Sequence, residues 1–243
     1  AVDFEEGFVE EDLISYELGY KGDLMNSRLR LNGALFYMEY DDYQQSVSTG
    51  RSPGERDFIN IDDAEIGGLE LDISFAITDT FIASLSYGYL DSSFGPDTVS
   101  YLRVDDASDT GFQTVEDQLT EDLALAPEHS GTIALDYSQP LSFGTLNANV
   151  NAQYQDVSFS GVVLPTGELD DRTLVGATLG VSDIRLGNDR GQLKVTLWGN
   201  NLFDEEYYVG NIRQDVFDSL GLQGLATFGD PRTYGLTVEY EYF

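Results

Sequence analysis

Alternation of apolar and polar residues with a period of two is the feature that most constrains how this chain can fold. In the clearest run, apolar residues alternate with Asn and Gln without a break from residue 146 to residue 155. Shorter runs of the same kind occupy 69–77, 81–89, 132–137 and 193–197. Successive side chains of a strand point to opposite faces, so each run predicts a strand with one apolar and one polar face.

The same pattern predicts nine strands, at 13–22, 27–40, 58–77, 80–94, 129–138, 145–157, 172–184, 192–203 and 232–243. Short turns are expected at 23–26, 78–79, 139–144 and 185–191, and long loops at 41–57, 95–128, 158–171 and 204–231. A soluble sandwich has no reason to place every long loop at one end. An outer-membrane barrel does, because its periplasmic turns are short and its extracellular loops are long.

Composition excludes several other classes of protein. The formal net charge of -32 would repel nucleic-acid phosphates, so nucleic acid is not an expected partner. A hydrophobic content of 41% is too high for a disordered acidic chain. The chain has no cysteine, which removes disulfides and thiolate chemistry. It also lacks a run of about 18 apolar residues, so a membrane role would require β-strands.

Aromatic residues gather at both ends of the predicted strands. Membrane barrels carry such girdles where tyrosine, tryptophan and phenylalanine meet the lipid headgroups. At the long-loop ends stand Tyr16, Tyr37, Tyr40, Tyr87, Tyr89, Tyr154 and Tyr234. At the short-turn ends stand Tyr20, Phe75, Phe81, Tyr137, Tyr240 and Tyr242.

Three features of the sequence could be binding sites, and each also has a simpler structural interpretation. His129, the only histidine, could be a metal or cofactor ligand, but an ordinary strand entry is the favoured interpretation. Trp198 shares the phase of Lys194, so it should point into the lumen and pack there. The acidic loop 95–128 could chelate calcium, although a solvated, mobile loop is favoured because the EF-hand spacing is not present.

Catalytic motifs are missing from the sequence. It has no Gly-x-Ser-x-Gly elbow and no glycine-rich phosphate loop between a strand and a helix. We therefore expect neither an enzyme nor a resident cofactor or metal.

Several segments together resemble the barrel of TonB-dependent outer-membrane receptors. They are YELGYK at 16–21, LRLNGALFYMEYDDY at 29–43, NIDDAEIGGLE at 60–70, WGNNLFDEEY at 198–207 and the ending GDPRTYGL to Phe243 at 229–243. Each segment is degenerate, and their order and spacing carry the resemblance. It implies structural signature positions at Asn201, Leu202, Phe203, Asp204, Tyr207, Pro231, Arg232, Tyr234, Gly235, Tyr242 and Phe243.

The resemblance implies an all-β fold, a transmembrane antiparallel wall of about nine up-and-down strands. This wall would be the C-terminal part of a larger, 22-stranded plugged barrel. Residues 1–243 would then contain neither the N-terminal plug nor the earlier strands. In the last strand, Tyr234, Tyr240 and Tyr242 occupy alternate positions and so share one face. Phe243 follows Tyr242 directly and falls on the opposite face. Either Tyr242 or Phe243 would be the terminal signal for the barrel assembly machinery.

The same resemblance implies a receptor in the bacterial outer membrane that actively imports a scarce nutrient. Its partners would be outer-membrane lipid, an extracellular ligand and the energy-coupling protein TonB, reached through the absent plug. A ferric siderophore or similar metal complex is the expected cargo, and cobalamin, haem, nickel complexes and oligosaccharides stay open. Two alternatives are a passive porin-type channel and a soluble, secreted β-protein that binds carbohydrate or adheres to surfaces.

Overall fold

The chain forms one large antiparallel sheet of nine strands. The computed structural model describes residues 8–48, 56–96, 98–104, 112–120, 122–161, 167–185, 191–212 and 225–242. The sheet consists of β1 (Asp12–Leu24), β2 (Leu29–Ser48), β3 (Arg56–Ala76), β4 (Phe81–Phe94), β7 (His129–Leu141), β8 (Gly144–Gln155), β11 (Arg172–Arg185), β12 (Gly191–Asn200) and β15 (Thr233–Tyr242). Each strand pairs with the next of this series, so the order is that of an up-and-down meander.

Six further strands form three small hairpins within the long connections. They are β5 (Thr98–Val104) with β6 (Phe112–Gln118), β9 (Ser158–Phe159) with β10 (Glu168–Leu169), and β13 (Tyr208–Ile212) with β14 (Leu225–Phe228). All three lie at the same end of the sheet, opposite the short turns. Within the described ranges, no helix has the length and hydropathy that a transmembrane helix needs.

The nine predicted strands and their meander order are confirmed, but the predicted loop 41–57 is wrong. β2 continues to Ser48 and β3 begins at Arg56, and their pairing runs on without a shift of register. The acidic residues at 41–42 suggested a loop. Tyr43 lies directly opposite Ile61, which is 1% exposed, and this apolar packing keeps the two strands together beyond the acidic residues.

The loop 95–128 also differs from the solvated, mobile loop that the sequence suggested. Its β5–β6 hairpin places Val99 and Leu119 against Ile61 in a small apolar cluster. The physical reason is that the register of the hairpin places Val99 and Val115 on one side, where both pack against the cluster. The cluster lies beside the extension of β2 and β3.

The strand register separates an apolar face from a polar face across the whole sheet. Side chains directly opposite one another in an antiparallel pair share a face. One row on the apolar face crosses all nine strands through Leu24, Leu29, Phe75, Ala83, Leu135, Val150, Ala177, Gly199 and Tyr234. A row on the other face runs through Asn32, Asp72, Ser86, Thr132 and Gln153.

The apolar face has no protein partner in the described part of the chain. Leu179, Leu197 and Leu236 are each more than half exposed, although they form adjoining rungs of one surface. A contiguous apolar surface of this extent marks contact with lipid or with another protein. In the soluble alternative, apolar faces would meet one another, and the described strands do not do so.

We expect the two faces to respond oppositely to a charge. Val150→Arg places a guanidinium in the middle of the apolar row and should cost about 2–4 kcal/mol, since charges on the lipid face are expensive near the midplane. Asn149→Arg, one residue away on the polar face, should cost much less. The measurement is urea unfolding of the protein from lipid vesicles. Equal costs for the two variants would contradict the assignment of the faces.

Candidate functional site

Hydrogen bonds between polar side chains line the polar face. Ser86 donates to Asp72 over 2.7 Å, and Asn149 donates to Asp136 over 2.8 Å. Asn151 in turn donates to Asn149 over 3.0 Å. The first two contacts join neighbouring strands and the third joins successive residues on the polar face of β8, so the polar side chains stabilise one another instead of requiring a packed core.

A recess of about 500 Å³ lies in this face, toward the end of the sheet that carries the long connections. Its wall is mostly polar and includes Glu70, Ser86, Thr132, Gln155 and Arg172, while Tyr207 and Val209 reach it from the long connection after β12. Side chains from separate strands and from a loop therefore converge on one volume, as they do in ligand sites.

Arg172 is the basic group of this recess. Its guanidinium donates to Gln155 Oε1 at 2.5 Å and to the carbonyl oxygen of Tyr208 at 3.3 Å. Its carbon Cζ lies 5.0 Å from the centre of the Tyr207 ring, within range of a cation–π contact. These contacts hold the guanidinium and the ring together at the start of β11.

The chemistry of the recess is suited to binding. An aromatic ring, a guanidinium and two amide side chains offer stacking and directional hydrogen bonds to a polar molecule. The carboxylates of Glu70 and Asp72 contribute negative charge on the same wall. The recess therefore favours a ligand with both donors and acceptors over a simple anion.

The predicted signature residues after β12 are brought together by hydrogen bonds. Asn201 is 6% exposed and donates through Nδ2 to the carbonyl oxygens of Glu205 and Asp230, at 2.8 and 3.1 Å. Its Oδ1 accepts from the backbone nitrogen of Glu205 at 2.8 Å. Asn201 thus closes the turn after β12 and connects it to the segment before β15.

A second connection joins the same two segments. Asp204 accepts from the backbone nitrogen of Arg232 at 3.2 Å and from its Nη2 at 3.1 Å. Gly229 donates from its backbone nitrogen to the Tyr207 carbonyl oxygen, and a Cβ at Gly229 would lie 2.0 Å from the Tyr207 ring. Only glycine leaves room for the ring there. The turn therefore positions Tyr207 at the recess.

The other signature residues have structural roles. Leu202 donates to the Val175 carbonyl oxygen, and Phe203 is 75% exposed. Pro231 precedes Arg232 at the entry to β15. Tyr234 and Tyr242 lie on the apolar face, in phase with Val238 and Tyr240. Phe243 lies outside the described residues.

Trp198 lies on the polar face, as its phase predicted. Its indole nitrogen donates to Thr237 Oγ1 at 3.1 Å. The ring lies over Gly235, where a Cβ would come within 2.5 Å of it. The signature glycine Gly235 thus makes room for the indole within the lumen wall.

A cluster of aromatic side chains lies at the end of the sheet that carries the long connections. Tyr43 contacts Tyr40 edge to face, with ring centres 5.6 Å apart, and also Phe94 at 5.8 Å. It belongs to the part of β2 that extends beyond the girdle tyrosines. Burial raises the pKa of the Tyr43 hydroxyl, and the Glu11 carboxylate acts in the same direction. The phenol therefore stays neutral and serves as a packing group.

Sequence reasoning missed the recess itself. It did not single out Arg172 or Gln155, which are 17 residues apart and meet only because β8 and β11 pair. The signal available was that Arg172 is one of only 12 basic residues and stands at a strand end facing the long connections.

Strands of bilayer length, one lipid-compatible face and long connections on one side define the class of outer-membrane β-barrels. Residues 10–202 match the TonB dependent receptor-like β-barrel family, and the chain belongs to that family. This confirms the resemblance, the all-β fold and the outer membrane of Gram-negative bacteria as the location. Because the family is one of receptors, the chain is not an enzyme.

Individual relatives agree with this assignment. The chain is 27% identical over 232 residues to the ferric-pyoverdine M114 receptor PbuA of Pseudomonas sp. (strain M114), covering 94% of this chain and 24% of the relative. The ferric yersiniabactin uptake receptor FyuA of Yersinia pestis has a TM-score of 0.67 at 16% identity, covering 97% of this chain and 30% of FyuA. The ferric-catecholate import receptor Fiu of E. coli K12 has a TM-score of 0.62 at 20% identity, covering 97% and 28%. The chain thus spans about a quarter of the length of the curated relative, and the structural likeness shows the fold.

We expect Asn201→Ala to destabilise the barrel by about 1–3 kcal/mol, because it leaves the backbone groups at Glu205 and Asp230 without their partner. Asn200→Ala is the matched control, since the neighbouring Asn200 is exposed. It should change stability by less than about 0.5 kcal/mol. The free energy of unfolding of the full-length receptor in lipid vesicles measures both. Similar values for the two variants would remove Asn201 from the closing turn.

Proposed function

We propose that this chain is the C-terminal barrel portion of a receptor that imports a ferric siderophore or a similar metal complex, energised through TonB. The observation that carries the proposal is the polar recess, which lies at the end of the wall where all long connections emerge. Membership of the family and the relationship to a receptor named for ferric pyoverdine support this cargo.

The rest of the receptor would supply the plug and the remaining strands. In the described sheet, β1 and β15 each pair with one neighbour only. A strand edge left open in hydrocarbon would expose unpaired backbone groups, so further strands must close the wall. In this proposal TonB acts through the plug, and the barrel assembly machinery inserts the completed barrel.

In the recess, Tyr207 and Arg172 would contact the cargo first. The ring offers a face for stacking, and the guanidinium has donors in a fixed fork. Gln155 already accepts from the guanidinium and holds it in place. Glu70 and Asp72 would accept from donors of the ligand and would disfavour small free anions by repulsion.

Energy coupling separates this proposal from the passive-channel alternative. Cells with the full-length receptor should accumulate a ferric siderophore such as ferric pyoverdine, and collapse of the proton gradient should stop accumulation while surface binding persists. A passive pore has no such requirement. Uptake that continues at the same rate after collapse would therefore favour the porin-type channel.

A second prediction concerns the affinity of the recess for its ligand. Arg172→Gln removes the charge and the contact with the Tyr207 ring, so affinity for ferric pyoverdine should fall by about 10-fold, corresponding to about 1.4 kcal/mol. The measurement is titration of binding to the purified full-length receptor.

Arg30→Gln is the matched control, because Arg30 forms an exposed ion pair with Asp23 at the opposite end of the wall. It should leave affinity unchanged. Equal affinity for Arg172→Gln and wild type would place the ligand elsewhere.

A further inference from the structure

Three possible metal ligands meet where β7 begins and β8 ends. Glu128 and His129 come from the entry to β7, and Asp156 follows β8 directly. One ligand atom from each lies within 4.8 Å of the others. The distance from His129 Nε2 to Glu128 Oε1 is 3.7 Å.

Backbone hydrogen bonds fix this group in position. The Asp156 nitrogen donates to the His129 carbonyl oxygen, and the Leu90 nitrogen donates to the Glu128 carbonyl oxygen, each at 2.9 Å. The three ligand residues are therefore attached to the ladder of β4, β7 and β8. Little rearrangement of the backbone is needed to bring their side chains onto one ion.

The imidazole ring is also oriented. Its Nδ1 lies 2.9 Å from the Tyr87 hydroxyl, and its ring stacks on Tyr87 and tilts against Tyr89, with centres 6.1 and 5.3 Å away. When Nδ1 carries the proton and donates it to the hydroxyl oxygen, Nε2 holds its lone pair toward Glu128. Metal-binding histidines are oriented in this way by a partner on the other ring nitrogen.

The distances fit a small divalent ion. Two ligands of a tetrahedral zinc ion, with bonds of about 2.0–2.1 Å, lie about 3.4 Å apart. The 3.7 Å contact is close to that value, and the three ligand atoms all lie within 4.8 Å of one another. Asp156 Oδ1 accepts from the Val157 nitrogen at 2.9 Å, and the carboxylate also accepts from the Tyr154 hydroxyl, so an ion would bind to a remaining lone pair of the carboxylate.

An ion pair between protonated His129 and Glu128 would explain the 3.7 Å contact alone. It would leave the second carboxylate, that of Asp156, to neutral hydrogen-bond donors, the Val157 nitrogen and the Tyr154 hydroxyl. A divalent cation bound by all three residues balances both carboxylates. One nitrogen with two oxygens suits zinc and neighbouring transition metals better than calcium or magnesium, which take oxygen ligands.

We propose that Glu128, His129 and Asp156 form a binding site for one divalent transition-metal ion of the zinc class at the outer rim of the wall. This site is separate from the recess and does not depend on the cargo. It differs from the prediction that His129 is an ordinary strand entry. Asp156 lies beside His129 because β7 and β8 pair, and their separation in the sequence does not reveal this. By joining the outer ends of β7 and β8, the ion would stabilise the rim.

Zinc titration of the full-length receptor tests the site. The protein is purified in detergent without a histidine tag, treated with chelator and titrated with zinc chloride by calorimetry. Wild type should bind one zinc equivalent that His129→Ala lacks, and Asp156→Asn should weaken that equivalent at least 10-fold. Asp79→Asn is the matched control, since Asp79 is an exposed acidic residue in the short turn between β3 and β4, at the opposite end of the wall. It should bind as wild type does.

A second measurement keeps the test decisive if one variant folds poorly. Glu128→Gln alters an exposed side chain, and its folding is checked by heat-modifiable migration in gels. It should also weaken zinc binding at least 10-fold. Equal zinc stoichiometry and affinity in wild type, His129→Ala and Glu128→Gln would overturn the proposal.

Discussion

The structure depends on the requirement that backbone N–H and C=O groups be paired wherever water is absent. Nine strands meet it through antiparallel ladders, with a register shift between Val181 and Ile184 of β11, and the β1–β2 pair alone matches every residue from Asp12 to Leu24 with a partner. The alternation with a period of two then determines which face each side chain lies on, because each residue must face either lipid or lumen. Polar side chains on the lumen side bond to one another, so the wall needs no packed interior of its own.

The candidate sites lie at the end of the wall, where the backbone no longer has to pair with itself. Beyond the bilayer, water can satisfy backbone groups, and the chain is free to form hairpins, turns and recesses. The recess around Arg172 and Tyr207 lies on that border. Its geometry is set by the rigid ladder on one side and by the turn at Asn201 on the other. The same border holds the trio at His129, where two strand ends place side chains from separate parts of the chain together.

The strands of the wall and their two faces could be predicted from the sequence, but the contacts that form the candidate sites could not. Alternation at 146–155 identified both faces because it depends on local backbone geometry alone. Asp41 and Asp42 concealed the extension of β2, since the apolar support for that extension comes from Ile61 on another strand. Arg172 with Gln155, and His129 with Asp156, are contacts between neighbouring strands. Their existence follows from register, which a single sequence constrains only loosely in polar regions.

The extension of β2 and β3 has a consequence for what reaches the receptor. About seven residues of paired strand above the girdle, at about 3.4 Å each, give a ribbon roughly 24 Å long. The ribbon is braced near its base by the cluster of Ile61, Val99 and Leu119. The ribbon therefore forms a braced side wall along one flank of the loop end of the sheet.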